Sequence, residues 1–350
     1  MILLDSPVLE RLYSFKDRVR DLAFPYMRWL DAQGQPNDYF RELRGTAILS
    51  MDGTARMLEG SGKSPEEIYV AAQEGRPQPV ALPVIAKMKI LSKHQDIHNP
   101  NVVARLPGSD PKLRNEYVVY TAHLDHLGIG EAVNGDKIYH GALDNASGSA
   151  CLLEIARAYS QIQPRPRRSI LLLSVTGEEE GLLGSDYFAH YPTVTKGSLV
   201  ANINMDGAAL LWPMEDVVAR GSEHSTLSVP VHEAAARLKI DVSPDPYPEQ
   251  VLFIRTDQYS FVKQGIPAVS LSSGKKSSNP KVKPEEIRAT WIATRYHKPQ
   301  DDMNQAFDFE SGAKYACYSF FLGYIVAQRN DKPAWNAGDF FGEHFAKNKN

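Results

Sequence analysis

The 350-residue chain has a formal net charge of -3, with 43% hydrophobic and 23% charged residues, enough apolar material for a sizeable core and about two domains by length. Near-balanced charge with no basic stripe argues against nucleic acid or an anionic membrane as partner and favours a small neutral or mixed substrate. No apolar run approaches the ~20 residues that span a bilayer, so no membrane-spanning helix is expected.

Met1-Ile2-Leu3-Leu4-Asp5-Ser6-Pro7 lacks both a basic leader and the apolar length of a signal peptide. It reads as a strand entering a turn, and a chain opening in mid-strand leads us to expect more protein ahead of it. The stretch up to about residue 85 is irregular, with scattered aromatics and turn residues such as Asp31-Ala32-Gln33-Gly34-Gln35-Pro36-Asn37-Asp38. Within it, Ser64, Pro65 and Glu67 form the N-cap, first-turn proline and capping-box acid of a helix through Ala72. A long strand is expected from Leu82 to Lys93.

Beyond it, apolar runs alternate with amphipathic helices, the pattern of an α/β sheet. Strands are expected at Val102–Leu106, Tyr117–Ala122, Ser169–Val175, Leu199–Met205 and Ile266–Leu271, several apolar throughout as in sheets covered on both faces. Leu152, Ile155, Ala156 and Tyr159 mark one helix face, and a long helix is expected from about Glu310 to Gln328. The fold class is therefore α/β, with a mostly parallel, mixed central sheet and helices on both faces. Gln161–Arg168 reads as a surface connection, the tail 331–350 has no assignable pattern, and no internal repeat is found. Cys151 and Cys317 lie in apolar helical stretches, Cys317 on a face with Ala313, Phe320 and Tyr324, and read as buried free thiols.

In an open α/β sheet, ligands bind beyond the carboxyl ends of the strands. Here Tyr117–Ala122 runs into His123-Leu124-Asp125-His126, Ser169–Val175 into Thr176-Gly177-Glu178-Glu179-Glu180-Gly181, and Leu199–Met205 ends on Asp206-Gly207. Loops add Asp144, just before a helix, and His297 in Tyr296-His297-Lys298-Pro299. Each piece alone has a bland reading: a chance His-x-Asp, a solvated glutamate run, an Asp144 N-cap, an exposed loop histidine. Their conjunction does not.

Imidazole and carboxylate without thiolate fits zinc, with cobalt or manganese as substitutes. Five ligands exceed one tetrahedral catalytic zinc but serve two if Asp144 bridges them with a shared water. Two Zn²⁺ against three carboxylates and one hydroxide also close to neutrality. Glu178, unused by the metals in this count, is the general base. Asp125 is expected to accept the second imidazole N–H of His123, and Tyr296 to donate to a developing oxyanion.

The ordered motifs Ala122-His123-Leu124-Asp125, Asp144-Asn145-Ala146-Ser147-Gly148, Gly177-Glu178-Glu179-Glu180-Gly181, Asn204-Met205-Asp206 and Tyr296-His297-Lys298-Pro299-Gln300-Asp301 resemble those of the co-catalytic zinc exopeptidases, which include bacterial secreted aminopeptidases, glutamate carboxypeptidase and the transferrin receptor. The resemblance spans roughly Leu82 to Arg329. It implies His123, Asp144, Glu179, Asp206 and His297 as ligands of two Zn²⁺ per chain, Asp144 bridging, Glu178 as base, and a cis peptide at Asp144–Asn145. Gly177 and Gly181 fix the register that separates Glu178 from Glu179.

Residues 1–81, with Met27-Arg28-Trp29-Leu30-Asp31, resemble the later part of a β-rich protease-associated domain, followed by a catalytic domain over 82–330. Thr256-Asp257-Gln258 departs from the Ser-Asp-His frequent in the family, which leaves the role of Gln258 open. The expected activity is removal of N-terminal residues from a peptide substrate. A carboxypeptidase or dipeptidase on the same core is the alternative, and a receptor-like binding protein a more distant one. The resemblance further implies a secreted or periplasmic full-length form.

Overall fold

In the computed structural model, which describes residues 1–22, 26–37, 42–195 and 197–346, the chain divides into units Met1–His98 and Asn99–Asn350. The first contains β1 (Ile2–Leu4), α1 (Pro7–Leu12), α2 (Phe15–Asp21), β2 (Ala47–Leu49), α3 (Met51–Leu58) and α4 (Pro65–Gln73), with β1 and β2 paired in parallel. Serine caps dictate much of this. Ser6, Ser14, Ser50 and Ser64 each accept a backbone N–H three residues on, and Ser64 completes the capping box with Glu67.

Two expectations are corrected in this unit. Its described regular structure is helical rather than β-rich, because capped helix starts, two of them followed directly by proline, outnumber segments with a pairing partner. The strand expected over Leu82–Lys93 does not form. Pro83 has no N–H to give, no described strand lies alongside, and the apolar side chains Ile85 and Leu91 stand exposed. Asp38, in the expected turn, lies outside the described residues.

The second unit runs β3 (Val102–Leu106), β4 (Tyr117–His123), β5 (Gly128–Val133), β6 (Asp136–Tyr139), α5 (Ser147–Gln161), β7 (Ser169–Val175), α6 (Leu183–His190), β8 (Leu199–Met205), β9 (Asp216–Arg220), α7 (Ser228–Leu238), β10 (Asp241–Val242), α8 (Gln258–Val262), β11 (Ala268–Ser273), α9 (Pro284–Thr294) and α10 (Phe309–Gln328). Seven strands form one sheet in the order β10-β9-β11-β8-β4-β7-β3. The central β11-β8-β4-β7 are parallel, while β3 and β9 join antiparallel, so the sheet is mixed as expected. β5 and β6 form a separate hairpin.

Strand alternation divides the core. Val118, Tyr120 and Ala122 of β4 face one layer with Ile155 of α5 and Leu322 of α10, whereas Tyr117 and Val119 face the other with Phe188 of α6 and Phe261 of α8. Each buried Val, Ile, Leu or Phe among them contributes about 1.5–3 kcal/mol. The parallel register sets Tyr117 beside Ser169 and Thr121 beside Asn204, which brings His123, Val175 and Asp206 to one sheet edge.

Three further readings change. Cys151 is buried, but Cys317 is exposed. The inner face of α10 instead carries Tyr315, Tyr318 and Leu322, with Gly312 and Gly323 allowing close approach to Leu210 and Tyr120. Small residues do not register in a hydrophobic pattern, so that face was hidden. Within Gln161–Arg168, Arg168 is fully buried: its guanidinium donates to the carbonyls of Val326, Arg329 and Asn330 at the end of α10 and to Glu116 at 2.7 Å. Past Asn330 the chain packs through single aromatics, with Trp335 Nε1 donating to Gly265 O at 2.9 Å and Phe341 against Phe253. Residues 347–350, part of that tail, lie outside the described set.

Candidate metal centre

Five backbone segments converge beyond the carboxyl ends of β4, β7 and β8, the fifth being the loop after α9 that carries His297. His123 ends β4, Asp206 follows β8, and Glu178 and Glu179 follow β7 after Gly177, whose φ of 67° turns the chain. Asp144 lies in the turn before α5. It does not cap that helix, whose N-cap is Ala146, and the Asp144–Asn145 peptide is cis as expected. Asn145 ties this turn to β8: its Nδ2 donates to Met205 O at 2.9 Å and its Oδ1 accepts Gly207 N at 3.0 Å. From the other side, Asp301 accepts the N–H groups of Leu143 and Asp144, both at 3.0 Å.

The sequence-derived ligand residues come together in two sets that share Asp144. His123 Nε2 lies 3.2 Å from Asp144 Oδ1 and 3.2 Å from Asp206 Oδ1, while His297 Nε2 lies 3.5 Å from Asp144 Oδ2 and 3.1 Å from Glu179 Oε2. Atoms bound at zinc–ligand distance around a tetrahedral ion stand about 3.3 Å apart. All four spacings match, so the two sets of residues fit the binding of metal ions. The sequence had not determined which imidazole pairs with which terminal carboxylate.

Proton affinities agree with a site built for cations. Burial pushes the His123 imidazole down, yet hydrogen bonds with Asp144 and Asp206 reverse this and hold it well above its ordinary value. Burial likewise opposes a charged His297, but Glu179 and Asp144 carry it up to about 10. Asp144 moves oppositely: burial would raise it, and hydrogen bonds from His123 and His297 bring it far below the usual carboxylate range. Protons on the two imidazoles thus occupy positions from which a metal must displace them.

Glu178 is outside both sets. Burial raises its carboxyl well above the usual range, against the pull of His123 and with the help of Asp206, Asp257 and Glu179. Asp125 is placed differently from the expectation. The second imidazole nitrogen of His123 faces the backbone carbonyl of Asp125 at 3.1 Å, with the carboxylate at 3.8 Å. That carboxylate instead accepts the N–H groups of Glu178 at 3.1 Å and Glu179 at 3.3 Å. Tyr296 stacks on His297 with ring centroids 3.9 Å apart, and burial together with the carboxylates of Asp144, Glu179, Glu178 and Asp206 keeps its phenol protonated far above its ordinary range.

Besides Asn145 and Asp301, sequence reasoning assigned no role to Asp257, Gln258 and His126, which also belong here. Asp257 is fully buried, with burial the first cause raising its carboxyl to about 7. Gln258 receives Asn204 Nδ2 at 3.0 Å and donates to Phe253 O, so it anchors β8 where the family pattern left its role open. His126 lies with Nδ1 2.6 Å from Glu179 Oε1. Its place directly after Asp125 was the one visible signal.

The family model described as Peptidase family M28 matches residues 101–315, more than half of the chain. Similar curated proteins include a probable zinc metalloprotease of Pyrenophora teres f. teres, 36% identical over 106 residues that cover 30% of this chain and 21% of that protein. Leupeptin-inactivating enzyme 1 of Streptomyces exfoliatus is 33% identical over 107 residues, 30% of this chain and 22% of that protein. The matched stretch thus spans about a fifth of the length of these relatives. Among solved structures, a zinc aminopeptidase from Bacillus subtilis is similar with a TM-score of 0.48 and 20% identity, over 66% of this chain and 51% of that one. With the family match covering the strands that carry His123, Glu179 and Asp206, the chain belongs to Peptidase family M28.

Proposed function

We infer that the chain is the hydrolytic part of a metallopeptidase that removes amino acids from peptide N-termini. One observation carries this reading: two imidazole–carboxylate sets at co-ligand spacing share Asp144, with Glu178 beside them and uncommitted. His123 with Asp206, and His297 with Glu179, each sharing Asp144, would hold two zinc ions, which would supply an acidified water and a polarised scissile carbonyl. Glu178, its carboxylate basicity raised by burial, takes the proton of the attacking water and delivers it to the leaving amine. Asp125 fixes the backbone of Glu178 and Glu179 so that adjacent residues keep separate tasks. Tyr296, held protonated, donates to the oxyanion that develops on the carbonyl.

The N-terminal direction is favoured by charge. Three ligand carboxylates and a hydroxide would balance two divalent ions, and the carboxyls of Glu178, Asp125 and Asp257, which burial holds above their ordinary range, add hydrogen-bond acceptors and no cation, which suits an α-ammonium group better than a C-terminal carboxylate. A similar protein of Arthroderma benhamiae carries the description probable glutamate carboxypeptidase, so the opposite polarity is the second reading. Peptide pairs that differ only in which terminus is blocked separate them. Release from the C-blocked member and none from the N-blocked member is expected, and the reverse pattern refutes the assignment.

A further inference from the structure

His126 sits in the centre without a place in the five-ligand set. Its side chain is 7% exposed, Nδ1 lies 2.6 Å from Glu179 Oε1, and the ring meets His297 edge-on at 5.7 Å. Nε2 is buried and has no hydrogen-bond partner. One ring nitrogen falls within 4.8 Å of ligand oxygens of both Asp144 and Glu179, near enough to be taken for a metal ligand.

Distances separate the two roles. The four ligand pairs stand 3.1–3.5 Å apart, whereas 2.6 Å is too short for two atoms on one tetrahedral zinc, about 3.3 Å apart. It is the distance of a hydrogen bond to a carboxylate. Glu179 divides its oxygens accordingly, Oε1 toward His126 and Oε2 toward His297 at 3.1 Å. The seat of the ring is fixed by backbone: Gly141 has a φ of 64°, and a Cβ there would stand 2.7 Å from His126 Cγ and 2.8 Å from its Cβ.

We propose that His126 is a positioning residue, whose Nδ1–H donates to Glu179 Oε1 and commits Oε2 to the second metal position. The proposal rests on the two-metal reading above. It makes His123-Leu124-Asp125-His126 a coupling element: His123 serves the first position, Asp125 holds the Glu179 backbone, and His126 holds the Glu179 side chain. Carboxylates that ligate metals need such partners to fix their orientation.

Zinc titration of the full chain by calorimetry, with melting curves of the metal-free proteins to check folding, tests this through His126→Ala and His126→Asn. Asparagine sets its Nδ2–H near the place of the imidazole Nδ1–H but is a poor zinc ligand. His126→Ala should weaken the second zinc by about 10–100-fold while leaving the first, and His126→Asn should restore second-site affinity. Parent-like affinity in His126→Ala, or equal weakness in both variants, overturns the proposal. A parent chain that binds fewer than two zinc ions overturns it together with the two-metal reading, an outcome distinct from either variant result.

Discussion

Asp301 Oδ2 accepts the backbone N–H of Asp144 at 3.0 Å, so a carboxylate four residues after His297 fixes the residue on which both ligand sets depend. Asp301→Ala is therefore expected to weaken zinc binding by roughly 10–100-fold, the usual effect of losing a partner that orients a ligand. Metal titration alongside far-ultraviolet circular dichroism checks this. Unchanged affinity would show that Asp144 is held without it.

Glu178→Ala removes the base and no ligand. The variant should retain the metal content of the parent and lose hydrolysis by about 10²–10⁴-fold. Turnover near that of the parent would remove Glu178 from its assigned role.

Gly323 lies on the inner face of α10, where an added Cβ would collide with Tyr120 Oη. That hydroxyl cannot swing away easily, since it bonds Tyr159 Oη at 3.0 Å and Ser319 O at 3.0 Å. Glycine to alanine in a helix interior ordinarily gains about 1 kcal/mol. Here the sign should reverse, with Gly323→Ala destabilising the chain by roughly 1–3 kcal/mol through overpacking in chemical denaturation.

Stability should also report the Glu116–Arg168 pair. Burial works against an ionised Glu116, but hydrogen bonds from Arg168 at 2.7 Å and Lys332 at 3.0 Å outweigh it and hold the carboxyl below its usual range. A carboxyl lowered by folding contributes stability above its unfolded pKa, and that contribution fades as pH falls through the folded value. Glu116→Gln should cost about 2 kcal/mol at pH 7, the size of a hydrogen bond to a charged group. The gap from the parent should close under acid conditions, and a pH-independent gap would contradict the ion-pair account.

The sheet and its chemistry were legible for one reason: burial on both faces leaves uninterrupted apolar strands, and ligands stand directly at their ends, as His123 and Asp206 do. What stayed hidden depends on contacts remote in sequence. The exposed face of Cys317 follows from glycines on the opposite side of α10, and the burial of Arg168 from carbonyls far along the chain. Leu82–Lys93 has a strand pattern with no partner, which a single segment cannot reveal. Asp125 turned out to hold backbone amides more closely than the imidazole beside it, a choice set by the return of β7 rather than by the His-x-Asp spacing.

The two-metal centre bridged by Asp144 is tested most directly by zinc stoichiometry at saturation, measured by elemental analysis on the parent and Asp144→Asn. Both sets draw on Asp144, at 3.2 Å from His123 and 3.5 Å from His297, so the parent should hold two zinc ions per chain and the variant should lose both. Fewer than two ions per chain in the parent, or an undiminished count in Asp144→Asn, would contradict the account.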